Sequence, residues 1–348
     1  MCIQMVAGHE EIRMTEPGAR GAALRRRAIS IPAVLGGLVV VVPSLVVLVP
    51  LAAVYDIVRG RRLPTVRMLI FGTCYLAWEA VAIIASAGLW VVTGCGLFVR
   101  RPWSVRAHRR LQATWVESLL GLAESILELR LEVTGDELLT PGPLVVLCRH
   151  ASMVDTLIPA KLLADAGLDF RYVLKTELLW DPALDIIGHR VPNHFVDRSG
   201  QNTPAELVAL EQLARGAGAD ESVVIFPEGT RWTPSKHQRA VAKVAESDPV
   251  LAQRLEAQRY TMPLRPAGTL AILDGAADAD IVIVSYTGLE GLAGPADALR
   301  MTPFRHPVRV DIRRVPRADV PTEPAARVNW LNEQWAQVDG WIATHVAP

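Results

Sequence analysis

The sequence predicts an α/β domain, with a mixed, largely parallel sheet flanked by helices, behind an N-terminal helical membrane anchor. Three observations predict it. No charged residue falls within residues 31–55, a stretch long enough to cross a bilayer. From Gly135 onward, short apolar runs alternate with helix-period stretches, the pattern of strands separated by helices. Hydrophobic residues make up 51% of the 348 positions and mean hydropathy is +0.25. That excess sits at the N-terminal end; the remainder has the charge density of a globular domain.

Residues 1–27 lack periodicity and read as a flexible tail. Residues 28–100 read as the anchor, and 101–348 as the α/β domain. The first apolar segment is too long for the core of a signal peptide, and no small-x-small cleavage site follows it. It is expected to be retained, as a helix bent by Pro32, Pro43 and Pro50. The second segment, 68–99, is interrupted by a single acid, Glu79, expected to make a helix–helix polar contact with no catalytic role. Arginines cluster before the first segment (Arg25, Arg26, Arg27), between the two (Arg59, Arg61, Arg62, Arg67) and after the second (Arg100, Arg101, Arg106, Arg109, Arg110). Two crossings would place one cluster outside, against the positive-inside tendency. A re-entrant hairpin removes that conflict, and both arrangements stay open.

Residues 105–131 place Leu111, Trp115, Leu119, Leu122, Ile126 and Leu129 at three- and four-residue steps, an amphipathic helix. Its stripe suits either a helix lying along the headgroups or one facing a core. Strands are expected at 144–148, 170–175, 194–197, 222–226, 281–286 and 308–315. Helices are expected at 156–166, 203–215, 236–260 (broken near Asp248-Pro249) and 329–346. Residues 308–315 alternate apolar and charged side chains, as in a half-exposed edge strand. Cys2, Cys74, Cys95 and Cys148 show neither metal-ligand spacing nor a disulfide framework, which leaves packing as their role. A net charge of +0 speaks against nucleic-acid binding by bulk electrostatics.

Two strings carry the chemistry: Arg149-His150-Ala151-Ser152-Met153-Val154-Asp155 and Phe226-Pro227-Glu228-Gly229-Thr230-Arg231. Each follows a strand-like run. Residues five apart do not share a helix face, so His150 meets Asp155 only if it sits in a loop whose ring folds back. Ser152 is placed to cap the helix that follows. The carboxylate would then fix the imidazole tautomer and stabilise the imidazolium. No serine nucleophile is needed if a substrate supplies its own hydroxyl, whose proton His150 removes as it attacks a thioester. In the second string Gly229 allows close backbone approach, Thr230 offers a hydroxyl and an amide, and Arg231 offers a fork for phosphate. Glu228 would weaken phosphate binding if it faced the ligand, so it is expected to hold Arg231 or a backbone amide.

In this order and separation the two strings resemble the lysophospholipid acyltransferase family, of the 1-acyl-glycerol-3-phosphate acyltransferase (PlsC) type. Leu174-Lys175-Thr176-Glu177-Leu178 and Phe195-Val196-Asp197-Arg198 resemble further family blocks. Thr233, Lys236, His237, Arg265 and Gly268, with Arg313-Arg314-Val315-Pro316 and Asp319-Val320-Pro321, resemble its long-chain, eukaryote-like branch. The similarity covers about residues 106–335. It implies transfer of a fatty acyl group from acyl-CoA to the free hydroxyl of a lysophospholipid, best 1-acyl-glycerol 3-phosphate, giving phosphatidic acid. His150 would be the general base and Asp155 its orienting partner. Arg198 and Arg231 would hold the acceptor phosphate with Lys175 as a further cation, Gly229 and Thr230 would shape that pocket, and Glu228 would support it. The resemblance implies no metal and no cofactor, only acyl-CoA as co-substrate, with the lysophospholipid and the bilayer as partners. The expected location is a bacterial cell membrane, with the active site on the cytoplasmic face where acyl-CoA is found.

Two positions depart from the family pattern: Arg149, where asparagine is common, and Leu264, where proline is usual before Arg265. Arg149 reads either as a cation for an anionic acceptor or the CoA phosphates, or as a solvent-facing side chain. Rival readings are another lysophospholipid or a glycolipid as acceptor, a thioester hydrolase, and a catalytically inactive membrane scaffold. A hydrolase has no need of a phosphate clamp. Joint presence of His150, Asp155, Glu228 and Arg231 speaks against the scaffold.

Overall fold

The computed structural model describes residues 17–152, 154–197 and 203–346. Three helices come first: α1 (Pro17–Val58), α2 (Pro64–Val92) and α3 (Pro102–Leu127). Next come β1 (Leu131–Thr134), β2 (Leu144–Cys148), α4 (Leu157–Asp165), β3 (Asp169–Lys175), α5 (Pro182–Gly188) and β4 (His194–Val196). After these the order is α6 (Pro204–Ala214), β5 (Glu221–Ile225), α7 (Pro234–Ala245), α8 (Pro249–Glu256), α9 (Pro266–Gly275) and β6 (Asp280–Thr287). The chain closes with α10 (Pro295–Met301), β7 (Val308–Val315) and α11 (Pro324–His345). It divides into two compact units. One holds Met1–Leu129, Leu174–Gln201 and Leu299–Arg305; the other holds Arg130–Val173, Asn202–Ala298 and His306–Pro348.

In the first unit α1 and α2 are long and apolar enough to cross a membrane by length and composition. Residues 17–27, expected in the tail, are the opening turns of α1; residues 1–16 lie outside the described residues. The second apolar segment stops being helical at Val92, because Gly94, Cys95 and Gly96 take φ of 64°, 54° and 94°. Asp56 closes the α1–α2 turn by accepting from Thr65 N and Oγ1, both at 2.8 Å. It thereby caps the first turn of α2 from across the hairpin. The stripe of α3 faces protein: Trp115, Val116, Leu119, Leu120 and Leu127 are buried. Trp115 Nε1 donates to the buried Glu79 of α2 at 2.8 Å, the polar contact that Glu79 was expected to make. Burial of polar groups is tolerable only with such partners.

The second unit is built on a mixed sheet. Its strands run β1-β7-β6-β2-β5-β3, parallel at every pairing except β6–β7. β2 lies between β6 and β5 and is buried along its whole length, which is why Leu-Val-Val-Leu-Cys is continuously apolar instead of alternating. On one face Val145, Leu147, Val223, Ile225, Ile281 and Ile283 join Leu273, Leu331, Trp335 and Ile342 in one core. Each such aliphatic side chain contributes about 1.5–3 kcal/mol on burial. The break expected near Asp248 separates α7 from α8, where Asp248 Oδ1 accepts from Leu251 N at 2.9 Å.

One expectation is corrected. β7 is not an edge strand, since β1 pairs with its outer side from Leu131↔Val308 to Thr134↔Asp311. Its alternation reflects one buried face and one partly covered face. β2 and β5 are parallel neighbours with Leu147 opposite Ile225, so the segments leaving their C-terminal ends emerge together. In open α/β sheets that end is where ligands are held.

Candidate active site

Eight residues separate β2 from α4, and Asp155 organises them. Its carboxylate is fully buried. Oδ2 faces His150 Nδ1 at 3.0 Å and accepts from Ala151 N at 2.5 Å and Ser152 N at 2.7 Å. Oδ1 accepts from the Ser152 hydroxyl. The five-residue spacing works because the loop wraps around the carboxylate. Ser152 does not cap α4: Thr156 occupies that place with no side-chain bond, and Ser152 Oγ instead accepts from Val154 N at 3.1 Å. The His150 side chain is 13% exposed beside this buried partner. Such an arrangement presents Nε2 of the imidazole as a base, with Nδ1 pinned.

The second string forms the turn leaving β5. Gly229 N donates to Phe226 O at 3.0 Å, and Gly229 has φ +65°, a conformation that favours glycine. A Cβ there would meet Arg265 Cδ at 2.8 Å. Glu228 is buried and accepts from the His150 backbone N at 3.0 Å, Met262 N at 2.9 Å and Trp335 Nε1 at 3.4 Å. Burial pushes its pKa up to about 8, while the Arg149 charge and these N–H donors pull it down. Trp232 N donates to His150 O at 2.8 Å. The peptide groups flanking His150 Cα are thus held on both sides, by Glu228 of the second string and by Trp232 just after it, and Phe226 packs its ring 5.0 Å from the imidazole. Glu228 holds a backbone amide, not Arg231.

The other predicted residues are placed as follows. Thr230 and Arg231 sit half-buried on the same turn, and Arg231 Nη1 donates to Ala293 O at 3.1 Å. Lys175 ends β3, is half-buried and belongs to the first unit. Arg198 lies outside the described residues.

Arg149 is the main surprise. It is fully buried, facing neither solvent nor an open ligand site. Nη1 donates to Tyr286 O at 2.6 Å and to Glu290 Oε1 at 2.5 Å; Nε and Nη2 donate to Tyr260 O at 3.2 and 2.8 Å. Tyr286 returns a bond from its hydroxyl to Arg149 O, and Glu290 Oε2 accepts from Gly288 N at 2.7 Å. A guanidinium in this position is tolerable because its charge is paired and most of its donors are used. The residue before His150 is therefore a bolt between the β2 end, the 260 loop and the segment after β6. Met262, Trp335, Tyr286 and Glu290 complete the site's support, and all four are remote in sequence.

Residues 130–270 match the family model described as Acyltransferase. That segment is an acyltransferase domain. It contains both strings, so the His150–Asp155 pair and the Glu228 turn lie inside the matched region. A curated relative, 1-acyl-sn-glycerol-3-phosphate acyltransferase epsilon of Mus musculus, is 27% identical over 245 residues. That alignment covers 66% of this chain, and the chain spans 65% of the length of that protein. The crystal structure of the 1-acyl-sn-glycerophosphate (LPA) acyltransferase PlsC from Thermotoga maritima matches with a TM-score of 0.49 and 17% identity, over 80% of this chain and 98% of that one.

Proposed function

We propose that this acyltransferase moves a fatty acyl group from acyl-CoA to the free hydroxyl of a lysophospholipid, with 1-acyl-glycerol 3-phosphate as acceptor and phosphatidic acid as product. The observation that carries the reading is the 3.0 Å contact of His150 Nδ1 with a buried Asp155, in a loop whose serine is already engaged. The Ser152 hydroxyl donates to Asp155 and is fully buried, so it supplies no nucleophile and the attacking oxygen comes from the acceptor. His150 Nε2 takes the acceptor's hydroxyl proton as that oxygen attacks the thioester carbonyl. The tetrahedral oxyanion then collapses, the C–S bond breaks, and the imidazolium returns the proton to the departing CoA thiolate. General-base help of this kind is worth about 10²–10⁴-fold. The acceptor phosphate is assigned to Arg231. The name of the Mus musculus relative supports this acceptor.

Membrane placement is supported by the apolar length of α1 and α2. The re-entrant arrangement draws support from the ties along α2. Arg67, near its start, donates to Ile126 O at 2.7 Å, Glu79 holds Trp115, and Arg190 donates to Ser86 O at 2.7 Å. A helix fastened along its length to the charged helix α3 and to Arg190 lies at an interface more readily than it crosses alone. In this reading the hairpin sits in the cytoplasmic leaflet of a bacterial membrane and the site draws its lipid substrates from there.

The test is CoA release by detergent-purified protein given oleoyl-CoA and a panel of lysophospholipids, beside His150→Ala. Release that requires lysophosphatidic acid and disappears in the variant is expected. Release with no acceptor would establish a hydrolase; release driven by another lysolipid would replace only the acceptor.

A further inference from the structure

The first unit carries a groove that the acyl-transfer reading leaves without a role. It has a volume of ≈ 300 Å³ and is lined by Arg27, Ile31, Ile83, Ala87, Trp90, Ile186 and Arg190. Those residues come from the start of α1, the end of α2, α5 and the residue pair that follows it. Its walls are aliphatic and its polar edge is cationic.

The charges at that edge do not balance. Arg26 and Arg27 both pair with one carboxylate, Asp185, at 3.2 and 2.8 Å. Burial raises the Asp185 pKa, but hydrogen bonds from His189 and Arg27 and the Arg27 charge outweigh it and hold the value at about 2. Asp185 is therefore ionised at neutral pH and contributes one negative charge. Arg190 has no carboxylate among the described residues: its Nη1 donates to Ser86 O at 2.7 Å and to His108 Nε2 at 3.1 Å. His108 Nδ1 faces the Ser104 carbonyl at 2.8 Å, so Nδ1 carries the proton, Nε2 accepts, and the ring is neutral. Burial and the nearby Arg27 charge depress the Arg190 pKa, as expected for a cation short of counter-charge. Three guanidiniums thus meet one carboxylate where an apolar groove begins.

We infer that this groove binds one anionic phospholipid of the bilayer, with its phosphate between Arg27 and Arg190 and the start of one acyl chain along Ile31, Ile83, Ala87 and Trp90. Charge selects the headgroup: an anion relieves the Arg27–Arg190 repulsion, whereas a zwitterionic lipid brings a further cation to the same edge. Trp90, 43% exposed at the end of α2, sits where aromatic rings mark a headgroup boundary. Basic pockets between membrane helices recognise anionic headgroups by the same means. The inference uses the membrane placement of the hairpin and is independent of the acyl-transfer chemistry.

Native mass spectrometry of the full chain, released from detergent with equimolar phosphatidylglycerol and phosphatidylcholine of matched chains, tests it. A single phosphatidylglycerol adduct is expected, with glycerol phosphate alone giving none. Arg190→Gln should weaken phosphatidylglycerol by roughly tenfold in Kd, the scale of one charge-assisted hydrogen bond. Ala87→Phe, on an exposed helix position, should fill the groove and remove the adduct without changing charge. Equal retention of the two lipids overturns the headgroup assignment, and an adduct that survives Ala87→Phe overturns the location. If glycerol phosphate binds as well as the lipid does, the acyl-chain contact is wrong. The failure of any of these leaves the CoA-release assay untouched, so the two readings fail separately.

Discussion

Replacing Arg149 with methionine separates two physical roles for the residue before the base. The structure makes it a bolt: its guanidinium gives hydrogen bonds to Tyr260 O, Tyr286 O and Glu290 from a fully buried position. Methionine fills much of the volume and leaves a half-buried carboxylate and two carbonyls without that donor. Breaking a fully buried ion pair from one side costs about 3–5 kcal/mol, an upper bound here because the Glu290 side chain is 17% exposed, against a total stability of about 5–15 kcal/mol for a domain. For a domain of about 150–250 residues that is a fall in Tm of roughly 6–20 °C. Arg149→Met/Glu290→Met should recover part of it, because the second substitution removes the stranded charge; coupling in such a pair is about 0.5–3 kcal/mol. Tm is followed by tryptophan fluorescence in detergent, and CoA release is measured well below both transitions. kcat should fall while KM for acyl-CoA stays constant, since the side chain reaches no ligand. A variant that keeps its Tm within about 2–4 °C, under 1 kcal/mol, while KM for acyl-CoA rises would refute the bolt and restore a phosphate-binding role.

Three further outcomes follow from the same geometry. Asp155→Asn keeps the shape but turns an amide toward His150, so kcat should fall by roughly 10²–10⁴-fold; CoA release measured well below the variant's own Tm checks it. Gly229→Ala puts a side chain at φ +65° and a Cβ 2.8 Å from Arg265 Cδ, and should cost at least about 1 kcal/mol together with activity, read by Tm and CoA release. Glu228 has a folded-state pKa of about 8 against an ordinary 4.5, so the folded protein binds its proton more tightly than the unfolded chain does. Its contribution is full below pH 4.5 and is lost as pH rises toward 8, at no more than about 1.4 kcal/mol per pH unit. The pH slope of Tm between these limits should be shallower in Glu228→Gln, and an unchanged slope would exclude Glu228 as its source.

How legible each part was in the sequence depended on how local its cause is. β2 was visible because burial on both faces leaves a continuous apolar run. His150 and Asp155 were visible because the loop joining them is short enough for one carboxylate to organise it. β1 was missed: Leu131-Glu132-Val133-Thr134 is four residues long and directly follows the amphipathic pattern of α3. With β1 unseen, the alternation of apolar and charged residues along β7 read as that of an edge. The short helices α5, α9 and α10 were missed for a similar reason, since seven to ten residues show little more than two turns of periodicity. Nothing near Arg149 in the chain announced its burial, because its partners Tyr260, Tyr286 and Glu290 are more than a hundred residues away. Arginine's usual exposure pointed the other way.

The same division runs through the site. His150 and Asp155 are local, and in the proposed reaction they supply the proton chemistry. The backbone of His150 is fixed by non-local groups: Glu228 takes its N–H, Trp232 donates to its carbonyl, and Tyr286 holds the carbonyl before it. Glu228 and Trp232 come from the segment leaving β5, and Tyr286 from β6 itself, the two strands next to β2 in the sheet. Register between β2, β5 and β6 therefore sets where the imidazole points. A one-residue slip at Leu147↔Ile225 would turn the partner residues to the opposite face and separate Glu228 from the His150 amide, with every catalytic residue still present. For that reason large-to-small changes in the β2–β5–β6 core, such as Leu147→Ala, should lower kcat before they abolish folding. The chemistry tolerates little displacement, whereas a single core cavity costs about 2–5 kcal/mol of stability.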